Sequence, residues 1–147
     1  MSDKVFKKNK DGSLDFVGDF ESLYCSDSDP WDQSSPDGSL MTSFYNLSRT
    51  ETIQFISKSC SADSVICEIG CGTGYLTNQL FNAFPDGTIH GCDISKTAVE
   101  IAKRNFSHIS FFEHNILEKQ LPNKVDVIIL SNILWYIIHG SFHLEMH

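Results

Sequence analysis

The stretch of sequence that decides the fold is VICEIGCGTG, residues 65–74. Its first half is apolar enough to form a buried strand, and a helical pattern follows from residue 73 to residue 84. Between them stand glycines at positions 70, 72 and 74. Because glycine has no Cβ, it tolerates positive φ and lets a ligand lie against the backbone. The stretch therefore predicts a ligand-binding loop at the carboxyl end of a strand.

Short apolar runs alternate with helical patterns along the rest of the chain. Strands are predicted at 88–92, 109–113 and 125–130, and helices after the N-cap Ser95 and over 133–138. This alternation is typical of a parallel sheet with right-handed crossovers, covered on both faces. The sequence therefore indicates an α/β fold.

The chain divides into three parts that differ in sequence pattern. Residues 1–22 show little periodicity and are predicted to be a mobile leader. Residues 23–60 form a helical and loop cap with one predicted helix over 40–59, and residues 61–147 form the α/β domain.

Composition limits the possible functions of these 147 residues. Eight acids and no Lys or Arg occupy residues 11–48, and the net charge is −8, so nucleic acid is not expected as a partner. The acidic stretch is either a solvated surface or an attraction for an amine-bearing ligand. No apolar run approaches the roughly 20 residues of a membrane span, so no membrane association is expected. Five cysteines, an odd number, predict free thiols and a cytoplasmic protein.

The spacing of the glycines limits which class of ligand the loop can bind. Asp93 ends the second predicted strand, where a carboxylate can accept both hydroxyls of a ribose. A dinucleotide site uses G-x-G-x-x-G, whereas here the third glycine comes one residue earlier. With Glu68 two positions upstream, the loop suits a ligand that has an ammonium group and no phosphate, such as S-adenosylmethionine. A dinucleotide and a plain tight turn stay open as alternatives.

Residues 65–138 resemble the N-terminal half of the class I S-adenosylmethionine-dependent methyltransferases, which have a Rossmann-like sheet. The resemblance implies the strand order 3-2-1-4, with the loop glycines against methionine and ribose. The residues that this pattern assigns to the cofactor are Glu68, Gly70, Cys71, Gly72, Gly74, Asp93, Ile94, Asn115, Ile116 and Ser131. Ile94, Asn115 and Ile116 would contact adenine, and Ser131 would face the methionine tail. Asn115 stands where the family often has Asp.

The front of the chain resembles the nodulation protein S group, whose members methylate the amine of a chitooligosaccharide. The residues that carry this resemblance are Leu23-Tyr24, Asp29-Pro30-Trp31, Phe44-Tyr45 and Arg49. It implies that Arg49 binds the methionine carboxylate, since guanidinium pairs with carboxylate bidentately. Trp31 either lines the acceptor site or anchors its loop to the core.

The function that follows is methyl transfer from S-adenosylmethionine to a small molecule or oligosaccharide amine. No general base can be named. The family has seven strands and this chain has residues for four, so we expect the chain to be truncated. We expect it to be weakly active or inactive alone. The open edge of the fourth strand is expected to allow self-association. The alternative is an inactive cofactor-binding fragment that serves as a partner or regulator of a full-length relative.

No metal site is expected. The residues Cys67, Cys71, His90 and Cys92 lack the spacing of a zinc site. The three histidines 139, 143 and 147 are interpreted as part of a frayed tail.

Overall fold

The computed structural model describes residues 3–34 and 38–138. The elements are β1 (Phe6–Lys8), β2 (Leu14–Phe16), α1 (Phe20–Ser26), α2 (Leu40–Ser59), β3 (Val65–Ile69), α3 (Tyr75–Ala83), β4 (Thr88–Asp93), α4 (Lys96–Asn105), β5 (Ser110–Glu113) and β6 (Val127–Ile129). A further helical segment occupies residues 134–138. From α2 onward, each predicted element is present, with boundaries within two residues of the prediction. The three C-terminal histidines lie outside the described residues.

Four strands form one parallel sheet in the order β5-β4-β3-β6. Because β3 is the first strand of the α/β domain, this order is the predicted 3-2-1-4, and the α/β fold is confirmed. Val65–Ile69 pairs in register with Thr88–Cys92 on one side and with 127–129 on the other. The central position of β3 explains why its sequence is nearly continuously apolar.

The two faces of the sheet form separate apolar clusters. On one face, Ile66 and Ile89 pack with Leu76 and Leu80 of α3 and with Ile56 of α2. The alternate residues of the same strands, including Cys67, Ile69 and Cys92, face partly buried side chains from residues 112–133. This alternation of side chains across β3 and β4 follows from the pleat of a strand.

The N-terminal residues differ from the prediction. Instead of an irregular leader, β1 and β2 form an antiparallel hairpin, and α1 begins at Phe20. The hairpin is anchored by the backbone oxygen of Val5, which accepts from the amide of Val17 at 2.9 Å, and the Val5 side chain is 2% exposed. The hairpin strands read FKK and LDF and form no apolar run, whereas the equally short β6 reads VII, which is why the sequence pattern missed the hairpin and found β6.

The outer side of β6 is open within residues 3–34 and 38–138, where β3 is its one paired strand. Ile128 and Leu130 are 49% and 40% exposed there. None of the described helices is long and apolar enough to span a bilayer.

Candidate functional site

A cavity of about 400 Å³ opens where the parallel strands end. Its floor includes the residues that end or follow each strand, which are Ile69 and Gly70, Asp93 and Ile94, His114, and Ser131. The N-terminal hairpin, the first two helices and the segment between those helices supply the opposite wall, through Phe16, Phe20, Tyr24, Trp31, Gln33, Tyr45 and Arg49. A site at the carboxyl edge of a parallel sheet is where open α/β folds bind their ligands.

The glycine loop is held against β4 by its own backbone. The amides of Gly70 and Cys71 both donate to the backbone oxygen of Cys92, at 2.8 and 3.0 Å. Gly70 and Gly72 have φ of 74° and 53° and line the cavity. A Cβ on Gly72 would lie 2.7 Å from the hydroxyl oxygen of Tyr24, and one on Gly70 would collide with Ile133. A side chain is therefore excluded at positions 70 and 72.

Gly74 has a different place from the other two loop glycines. It is the N-cap of α3, with φ of 89°, and it is absent from the cavity lining. A Cβ on Gly74 would lie 2.9 Å from the ring of Phe111 and 3.2 Å from Cβ of Ala102. In the structure, Gly74 packs closely against α4 and β5.

Asp93 fixes the loop to the start of α4. Its Oδ2 accepts from the amide of Gly72 and its Oδ1 from the amide of Ser95, both at 2.9 Å. The carboxylate is 7% exposed and lines the cavity, and burial raises its pKa. Each oxygen keeps a further lone pair, so the carboxylate can still accept two hydrogen bonds from a ligand.

Glu68 lies deeper, at the end of β3. It is 4% exposed, and its Oε2 accepts from the hydroxyl of Thr77 at 2.5 Å. Burial raises the Glu68 pKa to about 7, although the Thr77 hydrogen bond and the positive charge of Arg49 oppose the rise. The carboxyl group therefore titrates near neutral pH inside the cavity.

Arg49 of α2 lies opposite, buried at 4% exposure. Its guanidinium donates to Oε1 of Gln33 at 2.8 Å and to Oδ1 of Asn46 at 3.3 Å. The guanidinium carbon is 5.8 Å from the centroid of the Tyr45 ring and 5.3 Å from that of the Tyr75 ring. Two aromatic rings and two amide oxygens thus hold a planar cation at the cavity wall, where it can bind an anion.

The remaining predicted site residues also line the cavity. Ile94 is 49% exposed although it is large and apolar, as expected for a residue that a ligand covers. Asn115 lies beside Ile116, and its Oδ1 accepts from the amide of Leu117 at 3.0 Å. The hydroxyl of Ser131 accepts from the side-chain amide of Asn132 at 3.1 Å. Cys71 is a buried thiol on the cavity floor.

Sequence reasoning missed several residues of the opposite wall. Tyr24 is buried over Gly72 and accepts from Nε1 of Trp31 at 3.1 Å. Trp31, predicted either to line the acceptor site or to anchor its loop, lines the cavity and is held by this hydrogen bond. Tyr136, which follows the fourth strand of the sheet, also lines the cavity. The aromatic residues concentrated near both ends of the chain are the sequence feature that could have indicated this wall.

Within the described residues, no group of three or more His, Cys, Asp or Glu side chains is arranged to hold a metal ion. The described cysteines are all free thiols. Cys67, Cys71 and Cys92 are buried in apolar clusters of the sheet, where a thiol packs as a small hydrophobic side chain.

The fold and this cavity define a methyltransferase domain. The family model for the methyltransferase domain matches residues 60–145, which is more than half of the chain. The chain belongs to this family, the class I S-adenosylmethionine-dependent methyltransferases, and its cofactor is S-adenosylmethionine.

Curated relatives match the same region. The chain is 37% identical over 86 residues to a malonyl-[acyl-carrier protein] O-methyltransferase of Bacillus anthracis, covering 53% of this chain and 32% of the relative. It is 26% identical over 85 residues to a putative methyltransferase of Invertebrate iridescent virus 6, covering 56% of this chain and 32% of that protein. The chain thus spans about a third of the length of these relatives.

Solved structures show the same fold. A TehB-like SAM-dependent methyltransferase from Corynebacterium glutamicum superposes with a TM-score of 0.53 at 17% identity, covering 65% of this chain and 54% of that one. The plantazolicin methyltransferase BpumL, in complex with a substrate analogue and SAH, superposes with a TM-score of 0.51 at 23% identity. The match covers 76% of this chain and 44% of that one. At these identities the similarity concerns the fold alone.

Proposed function

We propose that this chain binds S-adenosylmethionine in the cavity at the strand ends and transfers its methyl group to an amine of a small molecule or oligosaccharide. The observation that carries the proposal is the loop from Gly70 to Gly72, which has no room for a side chain at either glycine and is held to Asp93 by a 2.9 Å hydrogen bond. A backbone cradle beside a buried carboxylate is suited to a ribose and the chain attached to it.

The two ends of the methionine part have complementary partners in the cavity. Arg49 offers a planar cation to the carboxylate, and its guanidinium keeps free N–H groups because it has five and the two bonds to Gln33 and Asn46 use two. Glu68 offers a carboxylate to the ammonium group. Since the Glu68 pKa is near 7, an approaching ammonium would favour its charged form.

The adenosine part would extend toward the ends of β4 and β5. Asp93 would accept from the ribose hydroxyls with its remaining lone pairs. Ile94 would cover one face of adenine, and burial of its exposed apolar surface would stabilise binding. Asn115 Oδ1 has one lone pair left for the adenine amino group, because Leu117 uses the other.

The chain's contribution to the reaction is alignment. S-adenosylmethionine supplies, when bound, a methyl group on a positively charged sulfur. The acceptor nitrogen forms the new N–C bond with its lone pair while the C–S bond electrons pass to sulfur, and a proton then leaves nitrogen to water. An uncharged amine needs no general base before attack, so positioning by the cavity walls suffices.

Mass spectrometry of acceptors incubated with the protein and S-adenosylmethionine tests the transfer. The panel should contain amino sugars, arylalkylamines and malonyl thioesters. We expect N-methylated products, with one S-adenosylhomocysteine formed per methyl group, and a loss of product in Asp93→Asn but not in Asp86→Asn, an exposed acid outside the cavity. Methylation of the malonyl thioester alone would contradict the amine proposal.

We also propose that copies of the chain associate through β6. The exposed apolar side chains of Ile128 and Leu130 beside the open strand edge support this, because such edges pair readily with another strand.

A further inference from the structure

Four aromatic rings form a continuous surface on the cavity wall. We call Phe16, Phe20, Trp31 and Tyr136 the aromatic wall; all four line the cavity and are half-buried. The Tyr136 ring is central, with its centroid 5.3 Å from that of Phe20 and 6.2 Å from those of Phe16 and Trp31. The rings contact one another and still present surface to the cavity.

The aromatic wall adjoins the loop that we assign to the cofactor. Nε1 of Trp31 donates to the hydroxyl of Tyr24, and that hydroxyl lies over Gly72. Tyr136 is three residues after Ile133, whose side chain covers Gly70. A molecule seated on the wall would therefore lie next to the methionine end of the cofactor, where the methyl group is carried.

The charged side chains that line the cavity as a whole are mostly acidic. Among the described residues, the cavity is lined by three acids, Glu68, Asp93 and Glu118, and by one Arg or Lys side chain, Arg49. Asp29, two residues before Trp31, is held by the amides of Gln33 and Ser34 at 3.0 and 2.8 Å. If Arg49 holds the methionine carboxylate, the cavity offers no second Arg or Lys within the described residues for an anionic acceptor.

We propose that the aromatic wall is the acceptor subsite and that it selects an amine carried on an apolar, ring-sized group. This inference rests on the proposed function and names the acceptor class for the same cavity. Ring faces attract cations and pack against apolar groups, so they favour an arylalkylamine over a carboxylate of the same shape.

The fluorescence of Trp31 allows acceptor binding to be measured without catalytic turnover. The chain has two tryptophans, and the second, Trp135, is 61% exposed and is absent from the cavity lining. In a Trp135→Phe background, the fluorescence of Trp31 reports directly on the aromatic wall. The protein is first saturated with S-adenosylhomocysteine, whose binding is measured separately by calorimetry, and is then titrated with 2-phenylethylamine, phenylacetate and glucosamine.

We expect 2-phenylethylamine to change Trp31 fluorescence with saturation and to bind at least about tenfold more tightly than phenylacetate or glucosamine. Tyr136→Leu, which keeps an apolar side chain and removes the ring, should weaken 2-phenylethylamine about fivefold and leave S-adenosylhomocysteine binding unchanged. Phe81→Leu, an exposed ring outside the cavity lining, is the matched control and should change neither.

Two outcomes overturn the inference while the proposed function stands. One is that S-adenosylhomocysteine binds but phenylacetate or glucosamine binds as tightly as 2-phenylethylamine, or 2-phenylethylamine does not bind. The other is that Tyr136→Leu, shown to be folded by its unchanged S-adenosylhomocysteine affinity, binds the amine as wild type does. If Tyr136→Leu is unfolded, Phe20→Leu replaces it under the same criteria. Failure of S-adenosylhomocysteine to bind overturns the proposed function itself.

Discussion

Thr97 donates two hydrogen bonds to the carboxylate of Glu21, from its hydroxyl at 2.6 Å and from its backbone amide at 3.1 Å. The hydroxyl of Ser95 adds a third at 2.7 Å. Glu21 lies in α1, whereas Ser95 and Thr97 start α4, where the helix N-terminus favours negative charge. One carboxylate thus joins the N-terminal segment to the methyltransferase domain, and these hydrogen bonds, those of Thr97 foremost, lower the Glu21 pKa to about 2.

Removing this carboxylate should loosen the N-terminal segment. We expect Glu21→Ala to reduce the free energy of unfolding by about 1 kcal/mol, a modest value because Glu21 is exposed to solvent. A group whose folded pKa is lowered stabilises above its ordinary pKa, so the difference from wild type should shrink as the pH falls from 4.5 toward about 2. Urea unfolding across that range measures it. Asp15→Ala, an exposed acid on β2, is the control, and an equal loss there would refute the role of Glu21.

Glu68 gives the stability an opposite pH dependence. Its folded pKa of about 7 exceeds its ordinary value of 4.5, so the folded state holds the proton more tightly, and stability should fall as the pH rises between these values. Wild type should lose up to about 3 kcal/mol relative to Glu68→Gln between pH 5 and pH 8. Chemical unfolding of both proteins at the two pH values tests this. Parallel stability profiles would show that burial does not protonate Glu68.

Because Gly72 lies close to Tyr24, an alanine at position 72 should destabilise the folded protein. Gly72→Ala combines φ of 53° with a Cβ 2.7 Å from the Tyr24 hydroxyl oxygen, whereas Gly12→Ala has φ of 88° and nothing within 4 Å. We expect Gly12→Ala to lose about 1 kcal/mol of stability from backbone strain and Gly72→Ala to lose about 1–3 kcal/mol more from overpacking. Thermal and urea unfolding provide the comparison. Adding Tyr24→Phe to Gly72→Ala deletes the hydroxyl oxygen and should restore part of the extra stability loss. If no stability is restored, the clash does not involve this oxygen.

The exposed edge of β6 should govern self-association. We expect wild-type protein to show concentration-dependent association by analytical ultracentrifugation and Ile128→Lys to be shifted toward monomer, because a charge on an edge strand opposes pairing. Leu14→Lys on β2 is the control, since Leu14 is 54% exposed but lies on the hairpin. A monomeric wild type, or equal effects of both substitutions, would exclude β6 as the interface.

The sequence predicted those parts of the molecule that local patterns encode. The elements from α2 to β6 show helical patterns or apolar runs in the sequence, and the glycine loop and Asp93 lie within one strand–helix–strand unit, residues 65–93. The hairpin was missed because its strands contain no apolar run, and its Phe16 ring packs on Tyr136 from a distant part of the chain. In α2, the helix was predicted but not its environment: Phe44 and Leu47 are exposed, whereas Arg49 is buried between tyrosine rings.

Gly74 shows the same limit within the motif itself. The spacing groups it with Gly70 and Gly72, but the packing of α3 against α4 and β5 decides that it serves the core instead of the cavity. Such a distinction depends on contacts with Phe111 and Ala102, which no local pattern contains.

Titration calorimetry with S-adenosylhomocysteine tests the central claim most directly. We predict one binding site per chain in wild type and in Asp86→Asn, and at least a tenfold weaker affinity in Asp93→Asn, because a lost hydrogen bond to a charged group costs about 1.5–3 kcal/mol. NAD should give no binding. An absence of S-adenosylhomocysteine binding, or an affinity that Asp93→Asn leaves unchanged, would contradict the assignment of the cavity to the methyl donor.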